Sequence, residues 1–421
     1  MKETGYLSFR PAKIPKFIYE ATASQNRMRE MRPGVFPVGA VDRDRRLFDE
    51  LIPLPEGTTY NAFVIRGSRA TALIDTVEPS KEGVLLANLD ELGPDRLDYL
   101  VSNHAEQDHS GSIPAVLARY PEAKVVTTPK GKEFLRLLLH VPDERIVAVQ
   151  DRETLSLGDR TLEFIHAPWV HWPETMFTYL REERILFTCD LFGSHVATND
   201  ATIGELGRVY WGAKRYYAEI MMPFRALIQG HLEKIKPLPI DIIAPSHGPA
   251  YAKPELILAA YRDWISDTVK NEVVIPYVSM HHSTAAMVGR LEKALLDRGI
   301  RVISFNLTVT DIGELAMAIV DAATVVVGTP TVLTGPHPAA VSATYLVKIL
   351  RPKTRAVGII GSYGWGGKTV KDLTGILQGF PAEVLEPVLV KGLPTAEDFR
   401  ALDALADKIA EKHRGYGVLG T

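Results

Sequence analysis

Six residues that follow a strand-like segment carry a dense set of side chains able to bind metal ions. The stretch His104 to His109 reads His-Ala-Glu-Gln-Asp-His, so two imidazoles and two carboxylates fall within six residues. A histidine in place of Glu106 would be typical of a two-metal hydrolase that binds zinc. A carboxylate oxygen is a harder, negatively charged ligand, so Glu106 shifts the predicted metal towards iron or manganese.

The position of this stretch favours a metal-binding loop. The apolar segment Leu97 to Val101 predicts a buried strand before it, and Gly111 permits a tight turn after it. A short loop after a strand allows the four side chains to converge on two metals, whereas one face of a regular helix does not. The alternative is a solvated polar loop, which has no need of this particular sequence.

Three further candidate ligands, His171, Asp190 and His247, each lie near the end of a strand-like segment. With them the chain offers four imidazoles and three carboxylates, about the number that two divalent metals need if one carboxylate bridges them. The predicted metal ligands are His104, Glu106, Asp108, His109, His171, Asp190 and His247. Among the other histidines, His166 and His195 could support these ligands. We expect three others to lie at the protein surface: His140, His231 and His413.

A second set of candidate residues lies in three loops that each follow a predicted strand in the last third of the chain. The loops contain Ser279, Met280, His281, His282, Ser283 and Thr284; Thr329, Pro330 and Thr331; and Ser362, Tyr363, Gly364, Trp365, Gly366 and Gly367. The first loop leads into a helix, whose N-terminal amides and hydroxyls suit a phosphate. Glycines allow a flat ring to approach closely, and Tyr363 and Trp365 offer stacking faces. An ordinary helix start and a core-packed Trp365 are the alternatives.

The elements that must position these residues indicate two α/β units. Up to about residue 265, short apolar strands alternate with turns and helices, which predicts a layered α/β sandwich. From Val273 a regular series of strand, loop, helix and strand predicts a doubly wound parallel sheet of about five strands. The segment Glu383 to Val390 is its predicted last strand and Thr395 to Lys412 its last helix. We place the boundary in the polar segment Asp263 to Glu272, between residues 268 and 269.

The length and composition of the chain agree with two domains and exclude several classes of protein. A chain of 421 residues exceeds the size at which a single core keeps growing. Its net charge of −3 gives no electrostatic reason to bind nucleic acid or an anionic membrane. No apolar run reaches membrane-spanning length, and residues 1–25 lack the apolar core of a signal peptide, so we expect a cytoplasmic protein. The single cysteine, Cys189, is predicted to be buried; one thiol excludes internal disulfides, iron–sulfur clusters and a rubredoxin-type iron site.

The combined pattern resembles the flavodiiron proteins, in which a metallo-β-lactamase-like domain is fused to a flavodoxin-like domain. The resemblance covers nearly the whole chain and rests on these motifs: His104-x-Glu106-x-Asp108-His109, His171-Trp172-Pro173, Asp190, Ser246-His247-Gly248 and Gly57-Thr58-Thr59-Tyr60-Asn61. It implies an αββα sandwich over residues 1–268, a flavodoxin-like sheet over residues 269–421, two non-haem irons and FMN.

The resemblance also implies roles for the ligands. One iron takes His104, Glu106 and His171, and Asp190 bridges to the other. The second iron takes Asp108 and His247, and also His109, whose coordination varies in the family. Glu106, His171 and Asp190 are the implied catalytic residues.

The activity implied by the resemblance is electron transfer from reduced FMN to the diiron centre, which reduces dioxygen to water, nitric oxide to nitrous oxide, or both. A head-to-tail homodimer, or a dimer of dimers, would bring the FMN of one chain to the irons of the other. Rubredoxin is the expected separate electron donor, with a deazaflavin or a flavin reductase as alternatives. Many members carry a histidine shortly before the Gly57 strand, whereas this chain has Phe48-Asp49-Glu50-Leu51 there.

The residues alone leave two other functions open. The first is a zinc-dependent, β-lactamase-like hydrolase with a flavodoxin-like sensor domain, against which Glu106 argues. The second is a non-catalytic electron carrier or flavin-binding interaction protein whose first domain is a relic. Seven intact candidate ligands argue against a relic, which would be expected to have lost some of them.

Overall fold

The computed structural model describes residues 30–420. The segment 1–25, for which no signal peptide is expected, lies outside the described residues. The strands up to residue 130 are β1 (Val35–Pro37), β2 (Ala40–Asp42), β3 (Leu47–Phe48), β4 (Ile52–Pro53), β5 (Thr58–Tyr60), β6 (Phe63–Arg66), β7 (Thr71–Ile74), β8 (Tyr99–Val101) and β9 (Lys124–Thr127). Those up to residue 260 are β10 (Ile146–Ala148), β11 (Thr154–Ser156), β12 (Thr161–His166), β13 (Met176–Leu180), β14 (Ile185–Cys189), β15 (Thr202–Ile203), β16 (Ile242–Pro245) and β17 (Ala250–Tyr251). Those that follow are β18 (Lys270–Tyr277), β19 (Arg301–Asn306), β20 (Ala322–Val332), β21 (Gly335–Pro336), β22 (Ala356–Tyr363), β23 (Glu383–Val384) and β24 (Val388–Lys391).

Helices cover the sheets on their outer faces. The α-helices are α1 (Glu82–Leu92), α2 (Gln107–Ser110), α3 (Ile113–Arg119), α4 (Pro129–Leu139), α5 (Val209–Tyr216), α6 (Arg225–Ile235), α7 (Pro254–Ile265), α8 (Ser283–Leu296), α9 (Ile312–Ile319), α10 (Pro338–Leu350), α11 (Thr369–Ile376) and α12 (Ala396–Gly415). A π-helix, Tyr217–Met221, continues α5 directly, and π-helical segments of this kind occur frequently at functional sites.

The first two sheets pack face to face. One has the strand order β1-β6-β7-β8-β9-β10, and the other has the order β11-β12-β13-β14-β16-β17-β15. Phe63 and Ile74 of the first sheet share one apolar cluster with Phe164 and Phe187 of the second. Helices α1, α3 and α4 bury the outer face of the first sheet, and α5 to α7 bury that of the second. The result is an αββα sandwich.

The third sheet is parallel and has the order β19-β18-β20-β22-β23, with β24 also paired to β22. This is the 2-1-3-4-5 order of flavodoxin-like folds. Helices α8 and α12 cover one face, while α9 and α10 cover the other and join the apolar cluster of α5 to α7. The two units therefore share one continuous core.

Ion pairs around one buried carboxylate reinforce this junction. Asp321, which precedes β20, lies 2.9 Å from Lys214 of α5, 3.0 Å from Lys270 and 3.1 Å from Lys353. Burial alone would raise the pKa of Asp321, but the attraction of Lys214 and then Lys353 lowers it to about 2. The carboxylate therefore stays charged over the whole physiological range.

A second cluster crosses the junction at the start of α9. Asp311 caps that helix by accepting a hydrogen bond from the Gly313 amide (2.9 Å), and it also accepts one from the Arg215 guanidinium (2.6 Å). Arg215 in turn lies 3.2 Å from Glu219 on the π-helix. A Cβ on Gly313 would overlap both Glu219 and Arg215, so this close approach requires glycine.

The structure confirms most of the predicted elements. The predicted strand Leu97 to Val101 is β8, and the predicted last helix is α12, which extends to Gly415. The strand predicted over Glu383 to Val390 is instead divided into β23 and β24, because Pro387 has no N–H to continue the ladder. Within residues 30–420, no helix is both long and apolar enough to cross a membrane.

Candidate metal and flavin sites

The first two sheets deliver the predicted metal ligands to one edge of the sandwich. His104 and Glu106 lie in the loop after β8, and Asp108 and His109 lie in the single turn of α2. Asp75 anchors this loop, since its carboxylate accepts hydrogen bonds from the backbone and side-chain amides of Asn103 (2.7 and 2.9 Å). Burial raises the pKa of Asp75 to about 6.

One group of side chains assembles around Glu106. The Nε2 atoms of His104 and His171 both lie 3.1 Å from Glu106 Oε2. With Asp190, these residues offer four ligand atoms within 4.8 Å of one another.

A second group assembles around Asp108. Its Oδ2 atom lies 3.3 Å from His109 Nε2 and 3.2 Å from His247 Nε2. His109 is thus placed beside Asp108 and His247, with its Nε2 facing the same point.

Asp190 lies between the two groups and presents one oxygen to each. Its Oδ2 atom is 3.4 Å from His104 Nε2 and 3.3 Å from His171 Nε2. Its Oδ1 atom is 3.0 Å from His109 Nε2 and 3.4 Å from His247 Nε2. This is the geometry expected of a carboxylate that bridges two cations.

The unsatisfied atoms of the cluster fit a pair of metal ions. Buried polar atoms normally have hydrogen-bond partners, and an unpaired one calls for an explanation. The buried atoms here that lack one are both carboxylate oxygens of Asp108, both ring nitrogens of His109, Nε2 of His171 and of His247, and Oδ2 of Asp190. A site with three carboxylates and four imidazoles suits iron better than a site made mostly of imidazoles.

The carboxylates of the cluster raise the pKa of its histidines. Burial alone would lower the pKa of His104, but hydrogen bonds to Glu106 and Glu174 raise it to about 10. Burial also lowers the pKa of His171 and His109, but nearby carboxylates outweigh it and raise the pKa to about 10 for His171 and about 9 for His109. Cations are therefore strongly favoured at the positions that these ring nitrogens face.

Several groups that sequence reasoning missed orient the ligands. Glu174 accepts a hydrogen bond from His104 Nδ1 (2.6 Å), so the Nε2 atom of that ring faces the cluster. His247 Nδ1 donates to the Thr59 carbonyl (2.7 Å), with the same consequence. The Tyr216 hydroxyl donates to Asp190 Oδ1 (2.7 Å). Such outer partners fix ring orientation and ligand basicity in metal sites.

Two neighbours of the cluster also need description. His195 is buried, its ring lies 4.9 Å from that of His247, and burial lowers its pKa well below the usual range, so it is neutral. Asp49 lies in the stretch Phe48-Asp49-Glu50-Leu51, which carries no histidine. Partial loss of solvent and the nearby charges of Glu106 and Asp108 raise its pKa to about 6.

Of the remaining predictions for single residues, some are confirmed and others are wrong. Cys189 is buried and His140 is exposed, as predicted. The surface positions predicted for His231 and His413 are wrong, since both rings are buried. His231 Nε2 donates to the Pro168 carbonyl (3.0 Å) from a helix face that packs on the second sheet. His166 contacts the Val149 carbonyl, not the cluster.

The three predicted flavin loops meet at the carboxyl edge of the third sheet. They follow β18, β20 and β22, which are direct neighbours in the sheet. Thr284 and Ser362, from the first and third loops, are hydrogen-bonded through their hydroxyls (3.0 Å). The second loop is tied to the start of α10, where the His337 amide donates to the Thr329 hydroxyl (3.0 Å).

This edge has features that fit FMN. His282 has a left-handed backbone (φ 65°) and gives α8 no side-chain cap, so amides at the start of the helix face the loop. A Cβ on Gly364 or Gly366 would meet no atom within 4 Å, so the third loop is open. Trp365 is 71% exposed, which excludes core packing and leaves its face free to stack. A surface cavity of about 650 Å³ lies beside these loops, against Leu333, but it includes none of the predicted flavin residues.

Comparisons with known proteins agree with this architecture. The family model described as "ODP family beta lactamase" matches residues 58–248. A nitric oxide reductase from Moorella thermoacetica is 39% identical over 390 residues, which cover 90% of this chain and 97% of that protein. Among solved structures, rubredoxin oxygen:oxidoreductase from Desulfovibrio gigas has a TM-score of 0.88 at 30% identity, covering 92% of this chain and 99% of that one. The flavodiiron protein from Giardia intestinalis has a TM-score of 0.86 at 28% identity, covering 96% and 98%.

The chain therefore belongs to the flavodiiron family. It is an oxidoreductase built from a metallo-β-lactamase-like domain and a flavodoxin-like domain, which confirms the predicted fold class. FMN and a non-haem diiron centre, the predicted cofactors, are those of this family. These similarities do not favour the alternative of a zinc hydrolase with a sensor domain.

Proposed function

We propose that this protein passes electrons from reduced FMN to a diiron centre that reduces dioxygen to water, nitric oxide to nitrous oxide, or both. The observation that carries the proposal is the position of Asp190, whose two oxygens face two separate groups of ligands. Relatives named nitric oxide reductase and rubredoxin-oxygen oxidoreductase support the two gases.

The ligand assignment follows the two groups. His104, Glu106 and His171 hold one iron, while Asp108, His109 and His247 hold the other. Asp190 bridges them, and with Glu106 and His171 it forms the catalytic set. When bound, FMN and the two irons would supply the redox chemistry, since the flavin stores the electrons that the irons pass to the gas.

The protein's own residues bind and orient. Glu106, Asp108 and Asp190 add three negative charges to a buried site, which stabilises iron in its oxidised form. Glu174 holds the His104 ring in the tautomer that leaves Nε2 free to coordinate, and the Thr59 carbonyl does the same for His247. Protons are consumed in both reactions, four per dioxygen and two per pair of nitric oxide molecules. Asp49, beside the cluster, is our candidate to hold one of them.

The flavin assignment uses the three loops of the third sheet. The loop Ser279 to Thr284 and the first turn of α8 bind the phosphate of FMN. Thr329 to Thr331 and Ser362 to Gly367 surround the isoalloxazine, and the exposed Trp365 stacks on or beside it. We place the domain boundary between residues 268 and 269, in the connection between α7 and β18.

The protein needs an electron donor, and its FMN and diiron centre must lie close together for electron transfer. We propose rubredoxin as the separate donor, a head-to-tail homodimer or a dimer of dimers as the assembly, and a cytoplasmic location. A relative named rubredoxin-oxygen oxidoreductase supports the donor. Stopped-flow reduction by rubredoxin, compared with a deazaflavin donor, tests this choice, and an active monomer in solution would overturn the assembly.

The decisive experiment combines metal analysis with gas reduction. We expect the purified protein to contain two irons per chain and, after anaerobic reduction, to consume dioxygen or nitric oxide. Asp190→Asn should lose iron and turnover together, because the bridging charge is removed. Asp241→Asn, an exposed carboxylate on the same sandwich, is the matched control. Zinc in the purified protein, or wild-type iron content and turnover in Asp190→Asn, would contradict the proposal.

A further inference from the structure

A small cavity of about 70 Å³ lies at the junction of the two domains. Its wall combines Leu51 and Ile52 from the segment after β3 with Leu315 and Ala316 of α9 and Val347 of α10. The wall is aliphatic apart from the single carboxyl group of Glu219. Its chemistry is therefore that of an apolar pocket.

Glu219 does not make this cavity a good site for water. Its side chain is only 4% exposed, and burial raises its pKa to about 8 although its Oε1 atom lies 3.2 Å from the Arg215 guanidinium, so the carboxyl group is largely uncharged at neutral pH. Both of its oxygens lack a hydrogen-bond partner, but they belong to one side chain. An ordered internal water needs two to four polar partners, and this wall offers one side chain. Apolar cavities in proteins stay dry and take up small apolar atoms and molecules instead.

The size of the cavity limits what can enter. An engineered apolar cavity of about 150 Å³ accommodates benzene or xenon. A cavity of about 70 Å³ suits xenon or a diatomic gas but not an aromatic ring.

Elements that line the cavity connect it to solvent and to the surroundings of the metal cluster. Leu51 is 55% exposed and Ile349 is 36% exposed, so its mouth reaches the surface. On the inner side, the β3–β4 hairpin that supplies Ile52 also supplies Phe48, whose ring lies 5.1 Å from that of His195. The π-helix that supplies Glu219 directly follows Tyr216, which contacts Asp190.

We propose that this cavity binds dioxygen or nitric oxide and delivers it to the metal cluster past Phe48 and Tyr216. The inference rests on the proposed function, because only that function makes an apolar diatomic gas the substrate. Both gases prefer an apolar environment to water, so the cavity raises the local concentration of the gas.

Xenon tests binding without relying on turnover. Crystals of the FMN- and iron-loaded protein pressurised with xenon should show a xenon atom in contact with Ala316 and Val347. Ala316→Leu adds three carbon atoms to the cavity and should remove that xenon. Ala318→Leu makes the same change on the same helix outside the cavity wall, and should retain it.

Kinetics test delivery. In Ala316→Leu, kcat/KM for the gas should fall about threefold or more while kcat at saturating gas is unchanged, because access and not chemistry is altered. Ala318→Leu should match the unsubstituted protein. If Ala316→Leu does not fold, Val347→Phe fills the same space from α10.

The outcomes separate the two proposals. No xenon in the cavity of the unsubstituted protein would overturn the cavity as a gas site, and loss of xenon in Ala316→Leu with unchanged kcat/KM would overturn its role in delivery. Neither result would affect the proposed function. Failure of the unsubstituted protein to reduce either gas would overturn the proposed function, whatever the xenon result.

Discussion

Replacing Tyr216 by phenylalanine should weaken iron binding without disturbing the fold. The Tyr216 hydroxyl donates a hydrogen bond of 2.7 Å to Asp190 Oδ1, and the donor and acceptor are both buried. Phenylalanine keeps the ring and its packing against His195 and His247 but removes the donor. The carboxylate that faces both groups of ligands then loses the contact that fixes its orientation.

The size of the effect follows from the kind of bond. A hydrogen bond to a charged group contributes about 1.5–3 kcal/mol. Since about 1.4 kcal/mol corresponds to a factor of ten in affinity, the dissociation constant for iron should rise roughly 10- to 100-fold. Burial of the site keeps solvent from replacing the lost donor, so the upper part of the range applies.

The assay is an anaerobic titration of the iron-free protein with ferrous iron against a chelator of known affinity. Tyr217→Phe is the matched control, because the adjacent tyrosine is equally buried but donates to the Trp264 carbonyl (3.2 Å), away from the cluster. Tyr217→Phe should bind iron like the unsubstituted protein. Equal affinities for Tyr216→Phe and Tyr217→Phe would refute the reasoning.

Three further variants probe other parts of the structure. Glu174→Gln removes the charge behind His104 and should weaken iron binding about tenfold in the same titration, with unchanged FMN content as the check on folding. Burial lowers the pKa of His413 to about 4 in the folded chain, so the unfolded chain binds more protons between pH 4 and 6.5. Stability should therefore fall by about 2 kcal/mol from pH 7.5 to pH 5, and urea unfolding of His413→Gln should lack that component of the fall. Gly313→Ala should destabilise the protein by about 1–3 kcal/mol, because the added methyl overlaps the ion pair packed on it. Gly375→Ala is the control, because a Cβ there meets no other atom within 4 Å, and the midpoint of its urea unfolding should be unchanged or slightly higher.

The predictions that succeeded rest on local signals. The stretch His104 to His109 is adjacent to its strand, so ligand type and spacing could be interpreted together. The meeting of the three loops at one edge was predictable for the same reason, since each directly follows an apolar strand and parallel strands share a carboxyl edge. That these loops bind FMN stays a prediction. The sequence allows two interpretations of Trp365, stacking or core packing, because it does not show on which side of a loop a ring lies.

The residues that were missed depend on contacts between distant segments. Glu174 meets His104 across 70 positions, and Tyr216 meets Asp190 across 26, so no spacing rule connects them. His413 is different, because a usable signal was present. It follows Leu405 and Ile409 at intervals of four, which places it on the buried face of α12.

The junction of the two domains has a consequence for how relatives of this protein can recombine. Lys214 and Arg215 lie in one domain, while Asp321 and Asp311, which pair with them across the junction, lie in the other. A buried charge without its partner costs several kcal/mol, so a metal-binding domain joined to an unrelated flavin domain would carry that penalty at Lys214 and would leave Arg215 with Glu219 alone. We therefore expect functional chimaeras to arise only when both pairs are inherited together. Within this family, the charge pairs and not the linker would decide which domains are compatible.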